Sequence, residues 1–351
     1  MRPVALLVPG RIDTRTGGTI YDRRMAEGLG LLGWAVEVHA LDASFPRPTA
    51  AALAHAGEVV DALPEGGVAI IDSLAAGAMP ALVERARSRV AVVALMHLPL
   101  IADPAIDAQA AGAFAVDEGR ALAAAHHVVI TGAAAVDLLA PYRIAPSRLT
   151  IVEPGTDPAP LARGSADGLV HLLSVATVHP GKGHEMLLGA LADAAVHGWR
   201  LTCAGSLTRD AATAARVADT ARRLGLEDRV RFAGDLAPEA LAACYDAADV
   251  FVLATRRETY GMAVAEALAR GLPVVATRTG AIPALVGTRA GLLVDVDDRR
   301  GLAEALARVI TDASLRETLR AGAQEARGQL PAWEEACRRM AQVLEALTHD
   351  G

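Results

Sequence analysis

Glu258-Thr-Tyr-Gly-Met-Ala-Val-Ala-Glu266, continued by Ala-Leu-Ala-Arg-Gly-Leu-Pro-Val-Val-Ala-Thr277, reads as a loop, a short helix, a turn at Gly271 and a buried apolar strand. A helix that runs through glycine into such a strand is the repeating unit of a parallel α/β sheet. Glu258 falls on the loop before the helix, and Glu266 about a turn and a half inside it. The two carboxylates are acceptors for hydroxyl groups, set beside a helix N-terminus that attracts phosphate. A glutamate on a helix usually faces water. Here Ala263, Ala265, Ala267 and Ala269 make the helix too apolar for that, so the Glu266 carboxylate needs a partner.

Outward from this unit the same alternation fills the chain. The first half predicts strands at 4–8, 35–40, 68–72, 90–96, 127–131 and 149–152, with helices at 21–32, 80–86, 117–124 and 133–139. No element is assigned between 40 and 68. A Pro/Gly/Ala/Asp-rich linker spans 154–168. The pattern then restarts, with strands at 171–175, 200–204, 230–233, 250–254 and 291–294 and helices at 184–197, 211–224, 238–247 and 300–311. Residues 315–347 read as helical, with a break near Gly328–Pro331. The expectation is α/β: two facing Rossmann-like, doubly wound domains, residues 1–165 and 166–330, with a C-terminal helix, 331–351, crossing back to the first. A ligand is expected in the cleft, at the carboxyl ends of the strands.

At 351 residues the chain suits two domains of about 150–200 residues. Apolar residues make up 52% but aromatics only 3%, so the core is built of Ala, Val and Leu. A net charge of −7 argues against a nucleic-acid binder, while leaving peripheral membrane contact open. Cys203, Cys244 and Cys337 show no zinc spacing and read as small hydrophobes in a reducing cytoplasm. No signal-peptide pattern precedes the first strand, and no run approaches the roughly 20 apolar residues of a membrane span.

The loop Pro9–Gly18 follows the first strand, and its Gly17 and Gly18 would let backbone N–H groups approach a diphosphate, although such a turn is often only a turn. It lacks the GxGxxG pattern, so nicotinamide binding is a poor fit. His97 ends an apolar strand, where a lone histidine is more often structural. Lys182, between a strand and a helix, would place a point charge on a leaving diphosphate. Asp295-Val-Asp-Asp298 looks like a metal-binding DxD, but its place before a helix favours N-capping.

Together these residues resemble the retaining glycosyltransferases of family 4, with their E-x7-E signature and GT-B architecture. The resemblance covers essentially the whole chain and is most specific over 174–191 and 249–294. It implies transfer of a hexose-type sugar from a nucleoside diphosphate sugar to a small-molecule, glycan or lipid acceptor, with retention of configuration and no catalytic metal. Glu258 would then meet the donor sugar, Glu266 the ribose diol, and the backbone N–H groups of Tyr260, Gly261 and Met262 would lie close by. His97 would lie beside the donor sugar. Gly205-Ser206 is similar to the family's second-domain turn, Phe232 to a stretch that reads the base, though it could equally be core. Pro154-Gly-Thr-Asp157 is similar to the turn joining the domains. Thr177 and Gly181 stand where many members carry Arg, which thins the diphosphate clamp; Arg256 or Arg257 could compensate. An epimerase or phosphorylase on the same scaffold is the nearest alternative. A glycosidase using Glu258 and Glu266, or a two-lobed binding protein, fits the pattern less well.

Overall fold

The structure is a computed structural model and describes residues 2–103, 106 and 108–349. Among the described residues, twelve strands form two six-stranded sheets, in each of which every neighbour pair is parallel. The first contains β1 (Arg2–Pro9), β2 (Trp34–Leu41), β3 (Val68–Asp72), β4 (Ala91–Met96), β5 (His127–Ile130) and β6 (Leu149–Ile151), in the order β2-β1-β3-β4-β5-β6. The second contains β7 (Val170–Val175), β8 (Trp199–Ala204), β9 (Val230–Gly234), β10 (Val250–Leu253), β11 (Val274–Thr277) and β12 (Gly291–Val294), in the order β12-β11-β10-β7-β8-β9. The direction of winding reverses between β1 and β3 in one sheet and between β7 and β10 in the other. Loops leaving those strands are where doubly wound sheets bind ligands.

Period-two alternation explains why both faces of each sheet are covered. Ala5 and Leu7 of β1 pack on one side, while Val4, Leu6 and Val8 pack on the other. In β10, Val250 and Val252 face one core, and Phe251 and Leu253 the opposite one. Apolar side chains on both faces give the unbroken hydrophobic runs seen in the sequence.

Several elements differ from expectation. Helix Ala50–Ala62 occupies the stretch left unassigned; Thr49 caps it, and its small Ala52, Ala56 and Gly57 fill the buried face with Val60. Alanine carries little periodic signal, so this helix is set by packing. The expected helix 184–197 stops at Asp193, because Ala195 takes a left-handed conformation at φ 51°. The helix expected at 117–124 begins at Ala108.

The chain divides into two compact units, residues 1–155 with 331–351, and residues 156–330. The division falls ten residues before the expected boundary at 165/166. Residues 162–165 are held to the second unit by Ala162 N–H donating to Arg270 O (2.9 Å), Gly164 N–H to Asp246 O (2.9 Å) and Ser165 N–H to Asp249 Oδ1 (3.1 Å). In the first unit, helix Trp333–His349 lies against helix Gly17–Leu31, where Ala336, Cys337, Met340 and Leu344 join Tyr21, Met25 and Leu29. A Cβ on Gly28 would sit 2.1 Å from Cys337 Sγ, so this approach requires glycine.

Candidate active site

In the second unit the candidate residues gather around the reversal of the sheet. Lys182 lies on the loop leaving β7, and Glu258 on the loop leaving β10. Lys182 Nζ donates to Glu258 Oε2 at 2.8 Å, with the side chains 30% and 18% exposed. Several backbone contacts force the loops together. Arg256 N–H donates to Gly181 O at 2.7 Å, and Thr255 Oγ1–H to the same oxygen at 3.1 Å. Gly183, at φ 67°, leaves no room for a side chain, since its Cβ would meet Ala254 O at 1.9 Å. Gly280 backs the Glu258 loop just as tightly, with a Cβ position 2.0 Å from Glu258 O.

Helix Met262–Ala269 starts at Gly261, whose φ of 104° turns the chain into it. Tyr260 is buried and Met262 half-buried at its start. Glu266 lies on this helix, and Tyr245 O–H donates to its Oε2 at 2.9 Å. The partner that the apolar helix demanded is therefore already within the protein. Tyr245 is held by stacking on Phe251 and by the Arg270 guanidinium 4.3 Å above its ring.

Gly205 brings the loop after β8 against the loop after β7, where its Cβ would meet Ala176 O at 2.1 Å and Thr177 N at 2.8 Å. Ser206 O accepts from Val178 N–H at 3.0 Å, so Thr177, Gly205 and Ser206 are neighbours. Phe232, half-buried on β9, packs against the core of the unit. Of the two arginines considered for the thinned clamp, Arg256 is engaged by Asp297 Oδ1 at 2.8 Å, and Arg257 is exposed with no ion pair among the described residues. Asp298 caps helix Arg299–Thr311, accepting from Gly301 N–H at 2.8 Å, as its position before the helix suggested. His184 is buried next to Lys182, and neither ring nitrogen is hydrogen-bonded among the described residues; burial first, and the Lys182 charge second, push its pKa down to about 4.

In the first unit, Gly17 and Gly18 open helix Gly17–Leu31 behind a Thr16/Thr19 capping box. Their position leaves first-turn amides without helical partners. His97 follows β4 directly and lies beside Gly18, where a Cβ would come within 3.1 Å of the ring. Its Nε2 is 2.9 Å from Asp22 Oδ1 and 3.7 Å from Asp72 Oδ2. These three groups approach within 4.8 Å of one another, a spacing a cation could use, but the shortest contact is already a hydrogen bond. Sequence reasoning missed Asp22, Asp72, Tyr245, Thr255 and Gly280. Asp72 carried a signal, as a carboxylate ending a buried strand.

Two doubly wound parallel sheets with glycine-lined loops at their reversals define a GT-B-type α/β protein. Sucrose-phosphate synthase from Thermosynechococcus elongatus superposes with TM-score 0.84 at 22% identity over 100% of both chains. The Anabaena protein HepE, solved in complex with UDP-glucose, superposes with TM-score 0.79 at 18% identity over 99% of this chain and 100% of that one. Residues 170–312 match the family described as Glycosyl transferases group 1. A D-inositol 3-phosphate glycosyltransferase 1 from Catenulispora acidiphila is 32% identical over 302 residues, 78% of this chain and 71% of that protein. A D-inositol 3-phosphate glycosyltransferase from Corynebacterium efficiens is 32% identical over 198 residues, so the chain spans about half of that relative's length, 47%. The chain belongs to the group 1 glycosyl transferases.

Proposed function

We propose that this protein transfers a hexose-type sugar from a nucleoside diphosphate sugar to a hydroxyl acceptor, with retention of configuration and without a catalytic metal. The observation that carries the reading is the Lys182–Glu258 pair at the reversal of the second sheet, beside the N-terminus of helix Met262–Ala269. Cleaving the anomeric bond builds negative charge on the diphosphate and positive charge on the sugar ring. Lys182 and the first-turn amides would hold the former, in a preorganised site where such interactions count most. Those groups supply the positive charge that a metal would otherwise bring. Glu258, released from Lys182, would accept hydrogen bonds from sugar hydroxyls, and Glu266, oriented by Tyr245, from the ribose. The likeness to D-inositol 3-phosphate glycosyltransferases and the UDP-glucose bound to HepE support a nucleotide-sugar donor and a small hydroxylated acceptor.

The test is a thermal-shift screen of UDP-, GDP-, ADP- and TDP-sugars, followed by turnover with EDTA present and with D-inositol 3-phosphate among the acceptors. A donor at 100 times its Kd stabilises the protein by about 2.7 kcal/mol. Lys182→Ala and Glu258→Gln should each lower donor turnover roughly 100- to 1,000-fold, the range for losing one preorganised charge-stabilising group. Unchanged turnover in both variants would remove the site assignment.

A further inference from the structure

Three ionisable side chains meet in the first unit: buried Asp22 from helix Gly17–Leu31, buried Asp72 from the end of β3 and half-buried His97 from the loop just after β4. The Asp22 and Asp72 side chains are 0% and 4% exposed, whereas His97 keeps 20%. Asp72 Oδ1 accepts from Leu74 N–H at 2.7 Å, leaving Oδ2 toward the imidazole. Asp22 Oδ2 is buried without a hydrogen-bond partner among the described residues. Tyr21 meets the imidazole edge-on at 5.3 Å, but its hydroxyl donates to Val152 O. Nδ1 of His97 makes no hydrogen bond among the described residues.

Two carboxylates buried together repel unless one takes a proton or a cation sits beside them. We infer that Asp22 and Asp72 are positioning residues that hold His97 as an imidazolium, with Nε2–H donated to Asp22 and Nδ1–H presented as a charged donor to a hydroxyl or phosphate oxygen of the substrate. This assigns the cluster a chemical role beyond the Lys182–Glu258 site. It also decides what His97 cannot do, since an imidazolium stabilises negative charge but takes no proton.

The electrostatics agree. Burial works against the charged imidazole, but the charge and hydrogen bond of Asp22, with the charge of Asp72, outweigh it and raise the pKa to about 9. Asp72 is itself pushed up, by burial first and by Asp22 second, with His97 opposing. The groups facing the imidazole are thus Asp22, Asp72 and the neutral Tyr21.

Nitrogen-15 NMR of histidine-labelled protein reads the protonation of both ring nitrogens without any ligand. His97 should remain doubly protonated through pH 8. Asp22→Asn should lower its midpoint by roughly one to two units, a 10- to 100-fold loss of proton affinity. Asp72→Asn should give a smaller shift in the same direction, and serves alone if Asp22→Asn does not fold. A wild-type midpoint near the ordinary histidine value, no shift in either folded variant, or displacement of the His97 proton by added Mg2+ or Zn2+ would each overturn the inference.

Hydrolysis of UDP-glucose supplies a second readout. The wild-type rate should fall above about pH 9 and the Asp22→Asn rate at lower pH, with kcat changing more than KM. A rate that instead rises with pH through deprotonation of His97 would make it a base and also overturn the inference. If no nucleotide sugar is turned over, the proposed function fails while the NMR result still decides this cluster.

Discussion

Lys182 and Glu258 neutralise each other across 2.8 Å, and either one left alone is a half-buried charge without its partner. The two losses should therefore overlap. The double variant Lys182→Ala/Glu258→Gln is expected to be little worse in turnover than the worse single variant, as a double-mutant cycle would show; strict additivity would mean that the groups act separately. His184 gives a different residue-scale prediction. Its folded pKa, about 4, lies below the ordinary histidine value, so its neutral form is favoured in the folded protein. That stability is fully present above about pH 6.5 and is lost as pH falls through about 4, for a total of about 3 kcal/mol. Urea unfolding between pH 7 and 4 should show this extra acid loss in the wild type and its absence in His184→Leu; parallel profiles would refute it. His97 has the opposite sign, its contribution being complete below about pH 6.5 and lost as pH rises through 9. Lys182, Glu258 and His97 were legible because each ends or follows an apolar strand. Asp22 and Tyr245 were not, because each lies within a helix whose own sequence gives no reason for a polar partner.

At the scale of elements, glycine marks where two backbones must approach. Gly28 is the clearest case, with Cys337 Sγ 2.1 Å and its Cβ 2.9 Å from where a methyl group would stand. Gly28→Ala gains about 1 kcal/mol of helix propensity but must push apart helices Gly17–Leu31 and Trp333–His349. A net destabilisation of about 1–3 kcal/mol is expected in urea unfolding, partly recovered by adding Cys337→Ala. No loss in the single variant would mean that the helices separate freely. Helix Ala50–Ala62 shows why some elements were missed. Its buried face is mostly alanine and glycine, so it offers little contrast between core and solvent, and its place comes from what it packs against.

For the whole molecule, the alternation of apolar strands with helices predicted two doubly wound sheets, and both are present. The last segment completes the first of them. Removing residues 331–351 would uncover Tyr21, Met25 and Leu29 and delete Met340 and Leu344, a loss on the order of 5–10 kcal/mol by area burial. That is comparable with the entire stability of a domain. Hydrogen exchange in β1 and β3 should then rise at least roughly 1,000-fold over the full chain; unchanged protection would mean that the helix is dispensable.

Unbroken apolar runs alternating with helical segments, glycine-bounded turns and the spacing of Glu258 and Glu266 are local properties, and they alone determined the fold class and the loops on which Lys182 and Glu258 lie. Strand order, the unit boundary at 155/156, the Tyr245 bond to Glu266 and the meeting of Asp22 and Asp72 around His97 came only with the tertiary structure. The reason is physical: those features join groups distant in sequence, and the burial that gives them their energies exists only once the sheets and helices have packed.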